Sequence, residues 1–300
     1  MKNKTIQSMK RPRLLILGCG DVGMRLLALL CARFRVFAVT RDPARRAQLR
    51  ATGAIPLFAD LDRAATLKRL AGLASYIVHL APPQADGALD RRTRNLVAIL
   101  PERARLVYVS TSGVYGDCGG ALIDETRRAA PQNARARRRL DAERVLRRWA
   151  CASHSTLSIL RVPGIYAADR LPLERLRQGS PALRPEDDVY TNHIHADDLA
   201  RIIERALFRG LPGRIYHAAD DSDMKMAEYF DAVADAFGLP RPPRLTRAAL
   251  ELQVSPMLLS FMSESRRMAN RRIKSELGVR LRYARVADTL AQRVSGLDIR

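Results

Sequence analysis

The sequence predicts an α/β protein: a doubly wound parallel sheet with helices on both faces and a smaller, mostly helical lobe at its C-terminal end. Three observations carry this. The apolar run Leu14-Leu15-Ile16-Leu17 ends in Gly18-Cys19-Gly20-Asp21-Val22-Gly23 and opens into Met24-Arg25-Leu26-Leu27, which reads as strand, tight turn and helix. Later apolar runs at 36–40, 55–58, 76–80, 106–109, 157–162 and 215–218 are continuous rather than alternating, as in strands buried on both faces, and helical patterns separate them. From residue 223 onward helix signals dominate to residue 294.

The first strand spans 14–17 and the first helix 21–33. Between them lies G-x-G-x-x-G, a pattern that uses glycine for the sharp bend, for close approach of backbone to a pyrophosphate and for tight packing of helix on strand. The helix N-terminus adds free N–H groups and a positive dipole end. With a second strand following at 36–40, Gly18, Cys19, Gly20, Asp21, Val22 and Gly23 form a candidate dinucleotide site, and the expected fold is an NAD(P)-binding Rossmann fold. Pro43, after Asp42, suits the first position of a helix running to residue 50. A third strand at 55–58 ends near Asp60. Residues 62–70 are helical, the fourth strand at 76–80 is stopped by Pro82 and Pro83, and the next helix is placed at 86–100. It carries Leu89, Thr93, Leu96, Val97 and Leu100 on one face.

A fifth strand at 106–109 leads through a glycine-bearing loop to a long helix at 133–152. That helix holds Arg135, Arg137, Arg138, Arg139, Arg144, Arg147 and Arg148, read as a solvated face in which Glu143 pairs with Arg139 and Arg147 at i,i±4. A sixth strand at 157–162, a Pro/Gly-punctuated stretch to 189, a helix at 197–208 and a seventh strand at 215–218 follow. The expected organisation is a basic tail over 1–11, a core over 12–220 with 167–190 contributing to the lobe, and the lobe itself over 221–300. In such a sheet ligands sit beyond the carboxyl ends of the strands, which adds Thr40 and Arg41, Asp60 and Leu61, Ala81 and Pro82, and Ser110-Thr111-Ser112 to the candidate site. NAD-preferring sites place an acidic residue at the end of the second strand to bind the ribose 2′-hydroxyl. Here Thr40 and Arg41 stand there, with Arg45 and Arg46 one helix turn on, so NADP is the preferred cofactor and NAD the alternative. Asp42 is read as a helix cap.

The formal net charge of +21 is carried almost wholly by arginine, since lysine occurs only at positions 2, 4, 10, 68, 225 and 274. Such a charge draws polyanions: nucleic acid, an anionic membrane surface or phosphorylated small molecules. The alternative is a basic, solvated surface, and no nucleic-acid recognition motif accompanies the charge. Cys19, Cys31, Cys118 and Cys151 have neither C-x-x-C spacing nor histidine partners at ligand spacing, which points away from metal and disulfides and toward a reduced, cytoplasmic protein. Asp21 and Arg25 interrupt the apolar stretch that follows the basic N-terminus, so a signal peptide is not expected, and no apolar run reaches the roughly 18 residues of a membrane span.

Val109-Ser110-Thr111-Ser112-Gly113-Val114-Tyr115-Gly116 resembles the S-S/T-x-x-V-Y-G stretch of the extended short-chain dehydrogenases/reductases, the NAD-dependent epimerase/dehydratase family. Leu160-Arg161-Val162-Pro163-Gly164-Ile165-Tyr166 is similar to that family's L-R-x-x-x-I/V-Y-G. Asn192-His193-Ile194-His195-Ala196-Asp197-Asp198-Leu199-Ala200 is similar to its F-I-H-V-D-D-L-A, and Asn270 to Gly278 to its C-terminal N-x-K-x-x-x-E-L-G. The resemblance spans about residues 13–295 and implies a Rossmann core with a C-terminal substrate lobe, binding NAD(P) and acting on nucleotide sugars or related hydroxyl and carbonyl compounds. Two departures stand out. Leu17 occupies the place of the family's first glycine, and the family's Tyr-x-x-x-Lys pair is absent: counting back from Glu143 puts Arg139 at the lysine and Arg135 at the tyrosine.

The family's tyrosine is a general acid/base, a role closed to arginine because it stays protonated. The resemblance leaves Arg139 the lysine's other task, bonding the nicotinamide ribose, and matches Thr111 to the hydroxyl that bonds the substrate oxygen. Tyr115, then Tyr166, are the candidate replacements for the missing phenol. His193 and His195 with Asp197 and Asp198 look like a relay or metal site, yet the resemblance makes them architectural. Arg266, Arg267, Arg271 and Arg272 are candidates to hold an anionic group of a small-molecule substrate. Three functions follow in order: an NAD(P)-dependent oxidoreductase or epimerase; a cofactor-binding sensor that has lost its chemistry; and a nucleic-acid-associated basic protein. A homodimer is compatible with all three.

Overall fold

The computed structural model describes residues 11–254, 258–259 and 262–294; residues 1–10 of the expected basic tail lie outside them. Seven strands, β1 (Arg13–Leu17), β2 (Arg35–Thr40), β3 (Ile55–Phe58), β4 (Tyr76–His79), β5 (Arg105–Thr111), β6 (Thr156–Val162) and β7 (Arg214–His217), form one sheet in the order β7-β6-β5-β4-β1-β2-β3. Every pairing in it is parallel. The continuous apolar runs have a simple cause. Successive side chains point to opposite faces, so Leu14 and Ile16 enter one apolar cluster while Leu15 and Leu17 enter the other.

The first cluster is covered by α1 (Asp21–Leu30) and by the long helix Ala196–Arg209, through Leu26, Leu27, Leu30, Leu199, Ile202 and Ile203. Leu96, Ala142, Leu146 and Ala150, from helices Arg91–Val97 and Ala134–Ala152, cover the second. Between α1 and these lie two shorter helices, Arg46–Ala51 and Ala64–Leu67. In chain order the helices up to residue 236 are therefore α1, α2 (Arg46–Ala51), α3 (Ala64–Leu67), α4 (Arg91–Val97), α5 (Ala134–Ala152), α6 (Leu173–Arg177), α7 (Ala196–Arg209) and α8 (Met226–Ala236), and Arg247–Glu251, Arg271–Ser275 and Val286–Val294 are helical beyond it.

Several boundaries differ from expectation. The helix expected at 86–100 is only α4, because Asp90 caps it: its carboxylate accepts the Thr93 N–H at 3.2 Å and the Thr93 hydroxyl at 2.7 Å. The Gln84 amide donates to the carbonyls of Asp86 and Leu89, which holds 84–90 as a loop, and Leu89 is 55% exposed instead of packed. Asp42 does cap the turn ahead of α2, accepting the Ala44 N–H at 2.9 Å. The expected solvated face of α5 is only partly one: Arg135, Arg137, Arg144 and Arg148 are exposed, while Arg138 is buried and donates to the Gly87 carbonyl at 2.7 Å.

A third apolar cluster joins Tyr166, Leu176, Ala182 and Leu183 to Ala227, Tyr229, Phe230, Val233, Leu250, Met262, Val286 and Leu290. Residues 166–183 thus pack with the C-terminal helices. Ile273, Leu277 and Val279, by contrast, return to the cluster beside α1 and α7. The buried Asp198 carboxylate ties the two parts, accepting the N–H groups of Arg282 and Tyr283 at 2.9 and 2.8 Å. Four two-stranded pieces that local patterns did not predict complete this region, among them Gly164–Tyr166 paired with His193–His195. Among the described residues no helix is long and apolar enough to cross a membrane.

Candidate functional site

In the order β3-β2-β1-β4-β5 the chain winds outward in opposite directions from β1 and β4, so their carboxyl ends leave a crevice between diverging connections. A cleft of about 800 Å³ opens there. Its floor is the turn after β1, with Gly18, Gly20, Asp21, Val22 and Gly23, beside Leu80 and Pro82 after β4. Gly18 has φ +80°, and a Cβ on it would lie 2.5 Å from the Ala81 nitrogen, so glycine is dictated by both conformation and space. At Gly20 a Cβ would meet nothing within 4 Å, and no side chain caps α1. The first-turn N–H groups of α1 therefore face a roomy space without a side-chain acceptor, which fits a pyrophosphate. The Asp21 carboxylate is tied to Arg25 at 3.0 Å and Arg170 at 2.8 Å. Partial burial opposes its ionisation, but these two guanidiniums hold its pKa below the usual carboxylate value.

The far wall is Val109 to Gly113 at the end of β5, with Arg139 reaching over from α5. Arg139 donates from Nη1 to the Val109 carbonyl at 2.9 Å, and lies 3.2 Å from the Tyr108 hydroxyl and 3.3 Å from the Ala81 carbonyl. Its i+4 neighbour Glu143 is not its partner, contrary to the local reading. Glu143 is buried and takes the Arg161 guanidinium at 3.1 and 2.7 Å, with the Ser110 hydroxyl donating to it at 2.6 Å. Arg147, the other expected partner, donates to the Gly213 carbonyl at 2.8 Å. This buried triad fixes the strand end that presents Thr111, whose Oγ1 accepts the Gly113 N–H at 3.2 Å. Arg135, at the tyrosine's place, also lines the cleft; although the residue is exposed overall, partial desolvation of its guanidinium and then the neighbouring Arg139 charge lower its pKa.

One cleft thus brings together Gly18, Gly20, Asp21, Val22, Gly23, Pro82, Thr111, Arg139 and Tyr166. Cys19 is buried beneath the turn, and burial pushes its thiol up to about 11. Thr40 and Arg41, Asp60 and Leu61, and Ala81 sit at the carboxyl ends of β2, β3 and β4 but outside the cleft lining. Arg45 donates from Nη1 to the Cys19 carbonyl at 2.5 Å, bracing the glycine turn from the β2 side.

Tyr115 does not line the cleft. It is buried, with its hydroxyl 2.5 Å from His217 Nε2 and the Arg161 guanidinium 4.6 Å from its ring centre. His217 Nδ1 lies 2.9 Å from the Ala269 carbonyl, so Nδ1 donates and Nε2 accepts the tyrosine proton. The physical reason is the turn Ser112–Tyr115 followed by Gly116 at φ +67°, which rolls the ring into the interior. Tyr166 lines the cleft, but its hydroxyl is sealed beside Asp220 and Thr289, whose own oxygens Oδ2 and Oγ1 also lack a well-formed bond. Burial raises the Tyr166 phenol well above its ordinary value and pushes Asp220 up to about 7.

The lobe side of the cleft holds Arg175, Tyr190, Met226, Tyr229 and Phe230, with Glu264 and Arg266 at its edge. Glu264 and Arg266 pair at 2.8 Å. Of the four C-terminal arginines singled out from the sequence, Arg266 lines the cleft; Arg267 lies over the Tyr190 ring and Arg272 faces Glu125. His193 tilts over Tyr229 at 4.3 Å and His195 stacks on Tyr283 at 3.7 Å, with His195 Nδ1 accepting the Asp197 N–H. His193 lines the cleft and its buried Nδ1 has no well-formed bond, and among the described residues no group of three His, Cys, Asp or Glu side chains is placed to hold a metal. Arg170 and Arg175 were not identified from the sequence, where they looked like two more arginines in an irregular stretch.

Glycine turn, uncapped helix and switch-point cleft together define a dinucleotide-binding protein of the Rossmann type. The chain belongs to the NAD(P)H-binding family, whose model matches residues 18–209. Among solved structures it is similar to a conserved protein of unknown function from Silicibacter pomeroyi DSS, with 28% identity, a TM-score of 0.77 and coverage of 95% of this chain and 99% of that one. It is also similar in fold to a dTDP-glucose 4,6-dehydratase from Streptomyces venezuelae with NAD bound, at 22% identity, TM-score 0.74 and coverage of 94% and 96%. A UDP-glucose 4-epimerase from Thermotoga maritima with UDP-glucose shares the fold at 15% identity, TM-score 0.74 and coverage of 95% and 100%. No curated protein matches the sequence.

Proposed function

We propose that the protein is an NAD(P)-dependent oxidoreductase or epimerase-like enzyme that prefers NADP and acts on a hydroxyl or carbonyl group. The observation that carries this is the single cleft in which the glycine turn faces Thr111 and Arg139 across a space large enough for cofactor and substrate. The first-turn N–H groups of α1 hold the pyrophosphate, Arg139 bonds the nicotinamide ribose, and the exposed Arg41 grips the 2′-phosphate. A bound nicotinamide supplies or accepts the hydride. Thr111 donates its hydroxyl to the substrate oxygen, and the fixed charge of Arg139 favours negative charge developing there. Neither Tyr115 nor Tyr166 presents its hydroxyl to the cleft. Proton exchange at the substrate oxygen therefore passes through Thr111 and solvent.

The test is a titration with NADPH and NADH followed by a redox screen over small hydroxy, carbonyl and nucleotide-sugar compounds. Tight binding with turnover is expected, and Thr111→Ala is expected to cut turnover at least tenfold with cofactor affinity kept. Failure of both cofactors to bind overturns the proposal. Arginine at both positions of the family's Tyr-x-x-x-Lys pair favours a second reading, a cofactor-binding sensor. Binding without turnover on any compound would establish that one instead.

A further inference from the structure

Five arginines line the cleft: Arg135, Arg139, Arg170, Arg175 and Arg266. Arg170 and Arg266 have carboxylate partners in Asp21 and Glu264, and Arg139 is bonded to backbone carbonyls. Arg175 is different. Its Nη2 donates to the Pro181 carbonyl at 2.8 Å and its guanidinium lies 4.3 Å over the Phe230 ring, so the side chain is held in place. Its Nε is buried without a partner, and among the described residues no carboxylate lies within ion-pair distance. Burial, with no opposing charge, pulls its pKa down to about 10. A fixed, partly desolvated cation without a counter-charge is costly to maintain in an unliganded fold, and an anion that enters beside it recovers a charge-assisted bond in a medium of low dielectric.

The surroundings say what kind of anion. Arg175 lies over Phe230, and Tyr166, Met226 and Tyr229 of the same apolar cluster also line the cleft. A sugar needs a polar partner for each hydroxyl, and both side-chain amides lining the cleft are already engaged: Asn192 donates to the Arg266 carbonyl and accepts the Met268 N–H, both at 2.8 Å, and Asn133 donates to Glu264 and accepts the Ala136 N–H. We propose that the lobe end of the cleft is a subsite for an organic acid, a carboxylate on a planar or apolar body, with Arg175 as its anchor. This rests on the oxidoreductase reading of the same cleft and narrows its substrate class to hydroxy or oxo acids rather than nucleotide sugars.

The experiment is calorimetric titration of the full chain, with and without NADPH, using benzoate and phenylacetate against benzamide, inorganic phosphate and UDP-glucose. Both acids are expected to bind at least tenfold more tightly than benzamide. Arg175→Met is expected to remove that preference and Arg175→Lys to retain part of it, with NADPH affinity unchanged and Arg177→Met without effect. Equal binding of acid and amide, tighter binding of phosphate or UDP-glucose than of either acid, or undiminished acid binding by Arg175→Met would overturn the proposal. The acid-to-amide comparison on the unaltered protein decides the matter even where the variants fail to fold. Absence of NADPH binding overturns the oxidoreductase reading alone, since the comparison without cofactor still stands.

Discussion

Replacing Glu143 by Gln should destabilise the protein more than almost any other conservative change. The carboxylate is 1% exposed, and both its oxygens face the Arg161 guanidinium, itself 4% exposed, while the Ser110 hydroxyl donates to Oε1. Glutamine keeps the shape and one acceptor but leaves the guanidinium a buried charge with only the Tyr115 ring against it. Breaking one side of such a pair costs about 3–5 kcal/mol. Arg161→Met should cost about as much for the converse reason, an unpaired buried carboxylate. The double variant Glu143→Gln with Arg161→Met removes both charges and keeps an acceptor for the Ser110 hydroxyl, and its remaining penalty is the unpartnered amide donors of the glutamine, about 1–3 kcal/mol. Urea unfolding at neutral pH gives all three values, and the double-mutant cycle should show a coupling of several kcal/mol. Single variants within about 1 kcal/mol of the unaltered protein, or an additive double variant, would refute the reasoning.

Stability should fall as pH drops from 6.5. Burial lowers His79 to about 3 and His193 and His217 to about 4, so each protonates first in the unfolded chain and withdraws about 2 kcal/mol by pH 5. Asp220, raised to about 7, has the opposite sign and returns about 2 kcal/mol over the same range, leaving a net loss of about 4 kcal/mol measurable by urea melts at pH 7 and 5; a flat profile would contradict the burial of these groups. Gly18→Ala should destabilise the fold by at least the roughly 1–2 kcal/mol of left-handed backbone strain, added to the clash with Ala81. Gly20→Ala, at a site open to the cleft, should cost under about 1 kcal/mol of stability yet weaken NADPH binding, and unchanged affinity would remove Gly20 from the pyrophosphate site. Arg41→Ala should lower the ratio of NADP to NAD affinity about ten- to a hundredfold, the equivalent of one charge-assisted bond, and an unchanged ratio would remove Arg41 from cofactor choice.

What the sequence made legible was whatever is decided locally. Seven apolar runs became seven parallel strands because the inner ones are buried on both faces, the edge strand β3 being only half-buried, and the glycine turn was readable because strand, turn and helix are contiguous. Asp42 capped its turn as its place before Pro43 implied. Misplaced features were those decided across the fold. Glu143 has arginines at i−4 and i+4, yet its partner is Arg161, 18 residues on, because α5 lies against β6 and turns that face inward. Helix α4 begins at Arg91 rather than 86 because the Asp90 N–H is taken by Asp141 from α5 at 2.8 Å, which no local pattern records. Tyr115 shares a strand end with Thr111, but a short turn between them is enough to send one side chain to the cleft and the other to the core.

The same distinction explains the arginine excess. A lysine offers a point charge, whereas a guanidinium carries several fixed donors and stays charged when partly buried. Many arginines here act as braces between a helix or strand and distant backbone carbonyls: Arg105 donates to Leu207 and Phe208 in the last turn of α7 and to Gly210 beyond it, Arg138 to Gly87, Arg147 to Gly213, and Arg267 to Gly120. Part of the +21 charge is therefore structural, and net charge alone is a poor guide to a polyanion-binding face. Among the arginines that line the cleft, the property that separates them is the absence of a carboxylate partner rather than the presence of a positive charge. By that criterion Arg139 and Arg175 stand apart from Arg170 and Arg266, one on the far wall at the end of β5 and the other on the lobe. Under the proposed function these two guanidiniums are where the two anionic ligands, cofactor and organic acid, find their counter-charge.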